Sequence, residues 1–185
     1  MSTDRRTLLA DAAIDVLAES GIRGLTHRAV DGAAHLPPGT TSAYFRTRHA
    51  LLTALVRRLV ALDQAELQNI GERTPAPRSA EELASGIAAF VGQRLTGDGR
   101  RRSLARYACA IESVHHPELR EILEPRENAA RQIVCDFLTA QGVTDAEERT
   151  VTLLVCVDGL VFDRLVSGGT VPDQEIHGLV AAALR

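Results

Sequence analysis

Residues 25–52, LTHRAVDGAAHLPPGTTSAYFRTRHALL, carry the reading on which the fold turns. Thr26 can cap a short helix over residues 27–34, because its hydroxyl can accept a hydrogen bond from a first-turn N–H. His35-Leu36-Pro37 leaves room only for a tight turn. Pro38 suits the first turn of a second short helix that ends near Tyr44. Thr47 then caps a long helix over residues 48–70, with Gly71 behind it. Two short helices joined by a tight turn and braced by longer ones have the layout of a helix-turn-helix. That device holds its second helix rigidly enough to enter a DNA major groove. Here the second helix is small and hydroxyl-rich. Thr40, Thr41, Ser42 and Ala43 can approach base edges and phosphates closely. The window alone also fits a polar surface turn.

Outward from this stretch, nearly everything reads as helix. Residues 4–20 carry an apolar stripe of Leu8, Leu9, Ala12, Ala13, Val16 and Leu17, ended by Gly21. Residues 72–78, with two prolines, form a loop. Ser79 and Glu82 make a capping box for a helix to Leu95. Gly97-Asp98-Gly99 should break the chain before a helix over residues 100–115. Pro117 opens the next helix, Pro125 kinks or restarts it, and Gly142 ends it after Ala140. Thr144 and Glu147 make a second capping box for a helix to Val166. Gly168-Gly169 is a loop, and Pro172 starts a terminal helix. The expected fold is all-α, with nine or ten helices. An N-terminal three-helix DNA-binding domain spans residues 1–46, and a ligand-binding and dimerisation domain spans residues 47–185.

Composition fits this reading. The 185 residues are 45% hydrophobic and 24% charged, which excludes a disordered chain. No run of 18 uncharged apolar residues exists, so no transmembrane helix is expected, and the polar first nine residues do not read as a secretory signal. Cys109, Cys135 and Cys156 form no CxxC pair, which argues against a disulfide scaffold and for a reducing cytoplasm. Residues 1–58 hold eight arginines against five acids, whereas the rest holds thirteen against nineteen. A polyanion partner is therefore expected for the first part only.

Leu25-Thr26-His27-Arg28-Ala29-Val30, then Ala33-Ala34, Pro38-Gly39-Thr40-Thr41, Tyr44-Phe45 and the residues from Arg48 to Leu52 closely resemble the DNA-binding domain of the tetracycline-repressor (TetR) family. The resemblance covers about residues 5–55; beyond Leu55 only the helical layout matches. It implies that Thr26, His27 and Arg28 meet the DNA backbone. It places Pro38, Gly39, Thr40, Ser42 and Tyr44 on the recognition helix, and Phe45 in the core beneath it. Arg48 stands for the family's usual Lys at a phosphate, with Arg46 as an extra phosphate contact. Ser42 stands where the family often has Tyr and Thr41 where it often has Leu, so no relative's base preference transfers.

The resemblance also implies a homodimer on a palindromic double-stranded operator, released by a small-molecule effector. The expected effector pocket is mostly apolar and lies among the helices of residues 80–138. Phe90, Leu104, Ala108, Ile111 and Phe137 would line it, and Tyr107, Glu112 and His115 would supply the polar groups. The dimer is expected from the helices of residues 125–140 and 145–166. The second of these is apolar on two faces, with Val151, Leu154, Val155, Val161, Phe162 and Leu165 on one and Leu153, Val157 and Leu160 toward the other. One face serves the core and the other a partner, without the pattern fixing which. Leu154, Val155, Asp158, Gly159, Val161, Phe162 and Leu165 are the candidate interface residues. Asp158 and Asp163 read as ion-paired or solvated, and Cys135 and Cys156 as buried small hydrophobes. Arg100-Arg101-Arg102 reads as a solvated helix start with acidic partners. Cys109, His115 and His116 do not fall on one helix face, so no metal site is expected, and no cofactor. No glycine-rich phosphate loop, HExxH or GxSxG is present in an interpretable context, so the chain is not expected to be an enzyme. The different-class alternative is a ligand-independent architectural or partner-binding helical protein.

Overall fold

The computed structural model describes residues 2–73, 75–123 and 129–185. Among these it contains ten helices and no strand. They are α1 (Ser2–Gly24), α2 (His27–Ala33), α3 (Thr40–Tyr44), α4 (Arg48–Arg73), α5 (Ala80–Leu95), α6 (Gly97–Ser113), α7 (Pro117–Leu123), α8 (Ala129–Ala140), α9 (Ala146–Ser167) and α10 (Asp173–Leu184). Pro125, where a kink is expected, lies outside the described residues.

Two compact units are present. The first is built from α1–α3, α4 up to Asp63, α6 from Arg101, and α7. Its core joins Leu9, Ala13 and Leu17 of α1 to Leu25, Val30, Phe45, and Leu51, Leu55 and Leu59 of α4, with Ala105, Cys109 and Leu119 from α6 and α7. The buried face of α1 is shifted from the expected stripe: Leu8 is exposed, while Ala10 and Ile14 join Leu9, Ala12, Ala13, Val16 and Leu17 in the interior. Gly21 leaves helical geometry at its expected place, and one further turn carries α1 on to Gly24. Arg58 grips Asp11 with two hydrogen bonds of 2.7 and 3.1 Å, tying α4 to α1. Arg101 faces Asp15 at 3.5 Å, so one of the three consecutive arginines has the acidic partner expected for it.

The second unit holds α4 from Gln64, α5, α8, α9 and α10. Its buried residues include Leu83 and Val91 of α5, Val134 and Leu138 of α8, and Ile176 and Val180 of α10. The loop expected at residues 72–78 begins later, since α4 continues to Arg73. Gly97-Asp98-Gly99 is not a break but the first turn of α6. The corner is Thr96 itself, whose N–H closes on Gln93 and whose carbonyl accepts from Arg100. A Cβ at Gly99 would lie 1.9 Å from the Gln93 carbonyl oxygen, so only glycine lets the two helix ends meet there. The second capping box is also absent. Asp145, not Thr144, caps α9 and makes no side-chain cap bond, while Glu147 is drawn away to Arg131 and to the Cys135 thiol. Cys135 is half-buried and Cys156 exposed, so neither is the buried apolar filler expected from the stripes.

Candidate nucleic-acid interface

Thr26 caps α2 as its sequence predicts, accepting from the Ala29 N–H at 3.1 Å. The turn after α2 is a Schellman motif. Leu36 N–H reaches the Asp31 carbonyl, His35 N–H reaches that of Gly32, and His35 takes a left-handed φ of 53°. Gly39, with φ of 91°, then starts α3 in a conformation that an L side chain rarely adopts. The expected helix from Pro38 is therefore shorter, beginning at Thr40.

A buried carboxylate holds this short helix in place. Asp31, only 3% exposed, accepts from the Gly39 N–H at 2.7 Å, the Thr41 N–H at 2.7 Å and the Thr41 hydroxyl at 2.6 Å. Burial pushes its pKa up. The Thr41 hydroxyl, the two backbone donors and the charge of nearby His27 outweigh that and hold it below the ordinary carboxylate range. Thr41, fully buried, thus donates where the resembled family often has an apolar Leu. His27 Nε2 lies 2.7 Å from the Phe45 carbonyl oxygen; since that oxygen can only accept, Nε2 donates. The Arg6 guanidinium covers the rings of Tyr44 and Phe45 at 5.9 and 5.4 Å from their centroids.

These ties sort the expected DNA-contact residues. Thr26, Arg28, Pro38, Gly39, Ser42, Arg46 and Arg48 are exposed, and His27, Thr40 and Tyr44 are half-buried. His27, Arg28, Pro38, Gly39 and Ser42, with Asp31 at the floor, line one open concavity of about 380 Å³. Four of the ten side chains also serve the fold, Thr26 as the cap of α2 and three others. His27 braces Phe45, the Thr40 hydroxyl donates to the Pro37 carbonyl at 2.6 Å, and the Arg48 guanidinium donates to the Ile22 carbonyl. Sequence reasoning missed Asp31 and Arg6. An acid eight and ten residues before its partners, across an irregular turn, matches no helical spacing.

The expected effector-pocket residues divide between the units. Leu104, Tyr107, Ala108, Ile111 and Glu112 lie on α6 and His115 just after it, in the first unit; Phe90 and Phe137 lie in the second. Ile111 is 66% exposed and Phe137 is a buried core residue of α8. The Arg94 guanidinium lies 4.7 Å over the Phe90 ring. On α9 two of the candidate interface residues need correction. Val161 and Leu165 are buried within this chain, on the face shared by Thr150, Leu153 and Val157. Val155, Asp158, Gly159 and Phe162 are exposed and Leu154 is half-buried. Asp163 pairs with Arg164, which also grips Glu175 at 3.0 Å.

Residues 78–185 match the family model described as the tetracyclin repressor-like C-terminal domain. The chain belongs to the TetR family of transcriptional regulators. Among its TetR-family relatives is the HTH-type transcriptional regulator BetI of Paraburkholderia phytofirmans, 29% identical over 167 residues, covering 89% of this chain and 83% of that one. A transcriptional regulator from Rhodococcus sp. Rha1 superposes with a TM-score of 0.75 at 26% identity, covering 100% of this chain and 94% of the other. The multidrug binding protein EbrR, solved with ethidium, gives a TM-score of 0.72 at 25% identity over 99% of both chains. The TetR reading of residues 5–55 and the match of residues 78–185 together span most of the molecule. No described helix is long and apolar enough to cross a membrane.

Proposed function

We propose that two copies of this chain bind a palindromic operator through α2 and α3, repress from it, and leave it when a small, mostly apolar ligand binds. The observation that carries the DNA reading is the Asp31–Thr41 lock. It fixes α3 from beneath while Pro38, Ser42 and Ala43 stay exposed above it. A helix held this way can present its first turn to base edges without losing order of its own. Arg28, Arg46 and Arg48 are exposed around it and supply phosphate contacts. The effector reading is supported by the likeness to EbrR, a multidrug binding protein solved with ethidium. By linkage, an effector that weakens operator binding is itself bound more weakly by the DNA-bound dimer.

Gel-shift titration across salt tests the roles. Arg46→Ala should weaken binding to operator and random DNA alike and reduce the salt slope by about one. Ser42→Ala and Tyr44→Ala should weaken operator binding more than random binding. Equal losses on both DNAs for all three variants would remove the base-reading role of α3. Operator binding unaltered by any member of a broad apolar ligand panel would favour the ligand-independent architectural reading.

A further inference from the structure

We propose that His49, His116 and Glu118 form a site for a divalent transition-metal ion of the zinc type. His49 stands in the first turn of α4, and His116 and Glu118 flank the corner between α6 and α7, all in the first unit. One ligand atom from each lies within 4.8 Å of the other two. The Glu118 Oε1 is 3.6 Å from His49 Nδ1 and 3.5 Å from His116 Nδ1. In a tetrahedral site with bonds of about 2.0–2.1 Å, neighbouring ligand atoms are about 3.3 Å apart, so two of the three edges are nearly at length. The imidazole planes are tilted by 49° with centroids 5.9 Å apart, so the rings converge without stacking.

The outer nitrogens strengthen the assignment. His116 Nε2 lies 3.7 Å from Glu112 Oε1, and His49 Nε2 lies 3.4 Å from the Thr53 hydroxyl. Each ring therefore has a polar neighbour on Nε2 and turns Nδ1 toward the same Glu118 oxygen. Glu112, at ion-pair distance behind His116, can on closing to a hydrogen bond fix that ring's tautomer and raise its basicity, the usual outer shell of a histidine–metal bond. Two imidazoles with one carboxylate suit zinc, cobalt, nickel or copper rather than magnesium or calcium, which prefer all-oxygen shells. His49 and Glu118 are each half open to solvent, which leaves a fourth position for water. Cys109, the nearest thiol in sequence, takes no part. It is fully buried, and burial pushes its pKa up to about 12, so it stays protonated. An ion here would join the first turn of α4, four residues beyond Phe45, to the α6–α7 corner.

The test uses zinc alone, titrated into the full chain against a chromophoric chelator. One ion per chain is expected. His49→Ala and His116→Ala should each weaken binding at least about tenfold, and Glu112→Gln about tenfold as an outer-shell change. His115→Ala and His177→Ala should leave binding unchanged. All of these side chains are at least partly open to water, so thermal unfolding of the metal-free variants should match that of the parent. Cobalt in place of zinc should give visible ligand-field bands with no thiolate charge-transfer band in the near ultraviolet. No stoichiometric zinc, undiminished zinc affinity in His49→Ala, or a thiolate band would overturn the assignment. The measurement needs no DNA, so its failure is separable from failure of the operator reading.

Discussion

Asp31 is buried in a region whose other expected DNA-facing groups are open or half open to water, and its three donors all belong to the start of α3. Asp31→Ala would leave the buried Thr41 N–H and hydroxyl without their acceptor, at about 1–3 kcal/mol of stability. Because hydrogen bonding holds the folded pKa below the ordinary value, the ionised carboxylate contributes its full stabilisation above about pH 4. That contribution falls as the pH drops from there through the folded pKa. Chemical denaturation from pH 6 down to pH 2 should show an acid-labile component in the parent that Asp31→Asn lacks. Identical pH profiles for the two would remove the carboxylate from this role. None of this was legible in the sequence. Thr26 and Thr47 announce themselves as caps because their partners lie three residues away. Asp31 reaches its partners only after the chain has reversed through a left-handed residue.

At the scale of elements, the limits legible in the sequence are those set by local chemistry. Ser79 accepts from Glu82 N–H at 3.1 Å, and Glu82 reaches back to the Arg78 N–H rather than to that of its cap. Pro117 opens α7 and Pro172 precedes α10 as expected. The illegible limits depend on another helix. Gly97 and Gly99 look like breakers until the α5 backbone is placed against Gly99. Thr144 and Glu147 fit a capping box until α8 offers Arg131 to the glutamate. The turn between α2 and α3 yields a prediction of its own. His35 takes a left-handed conformation at the C′ position, where glycine is preferred. His35→Gly should raise stability by about 0.5–1 kcal/mol, read as a shift of the urea midpoint at constant slope. A lower midpoint would mean that the His35 side chain supplies more than the strain removes.

For the whole molecule, the outer face of α9 bears most directly on assembly. Val151, Val155, Phe162 and Val166 lie along one stripe and stay exposed, Val166 at 73%, while Thr150, Leu153, Val157, Val161 and Leu165 face the interior. The sequence showed that α9 is apolar on two sides but not which side the chain keeps for itself. That choice is made by α5, α8 and α10, which pack on it. Val155→Asp is expected to give a monomer by sedimentation at micromolar concentration. Leu165→Ala should instead weaken the fold itself by about 2–5 kcal/mol. A dimer that survives Val155→Asp would move the interface elsewhere. The charge contrast was also legible, since the arginine surplus falls in residues 1–58, and Arg28, Arg46 and Arg48 among them are exposed.

The Asp31–Thr41 lock has a consequence for how such a reading head can change over generations. Holding α3 is assigned to two buried positions, whereas positions 38, 42 and 43 are exposed. Drift at the exposed positions can then retarget the head to a new operator with little penalty to folding, whereas positions 31 and 41 are bound to change together or not at all. A randomised library confined to Pro38, Ser42 and Ala43 should therefore return mostly folded chains of altered DNA preference. The same library extended to Thr41 should lose most of its members to instability.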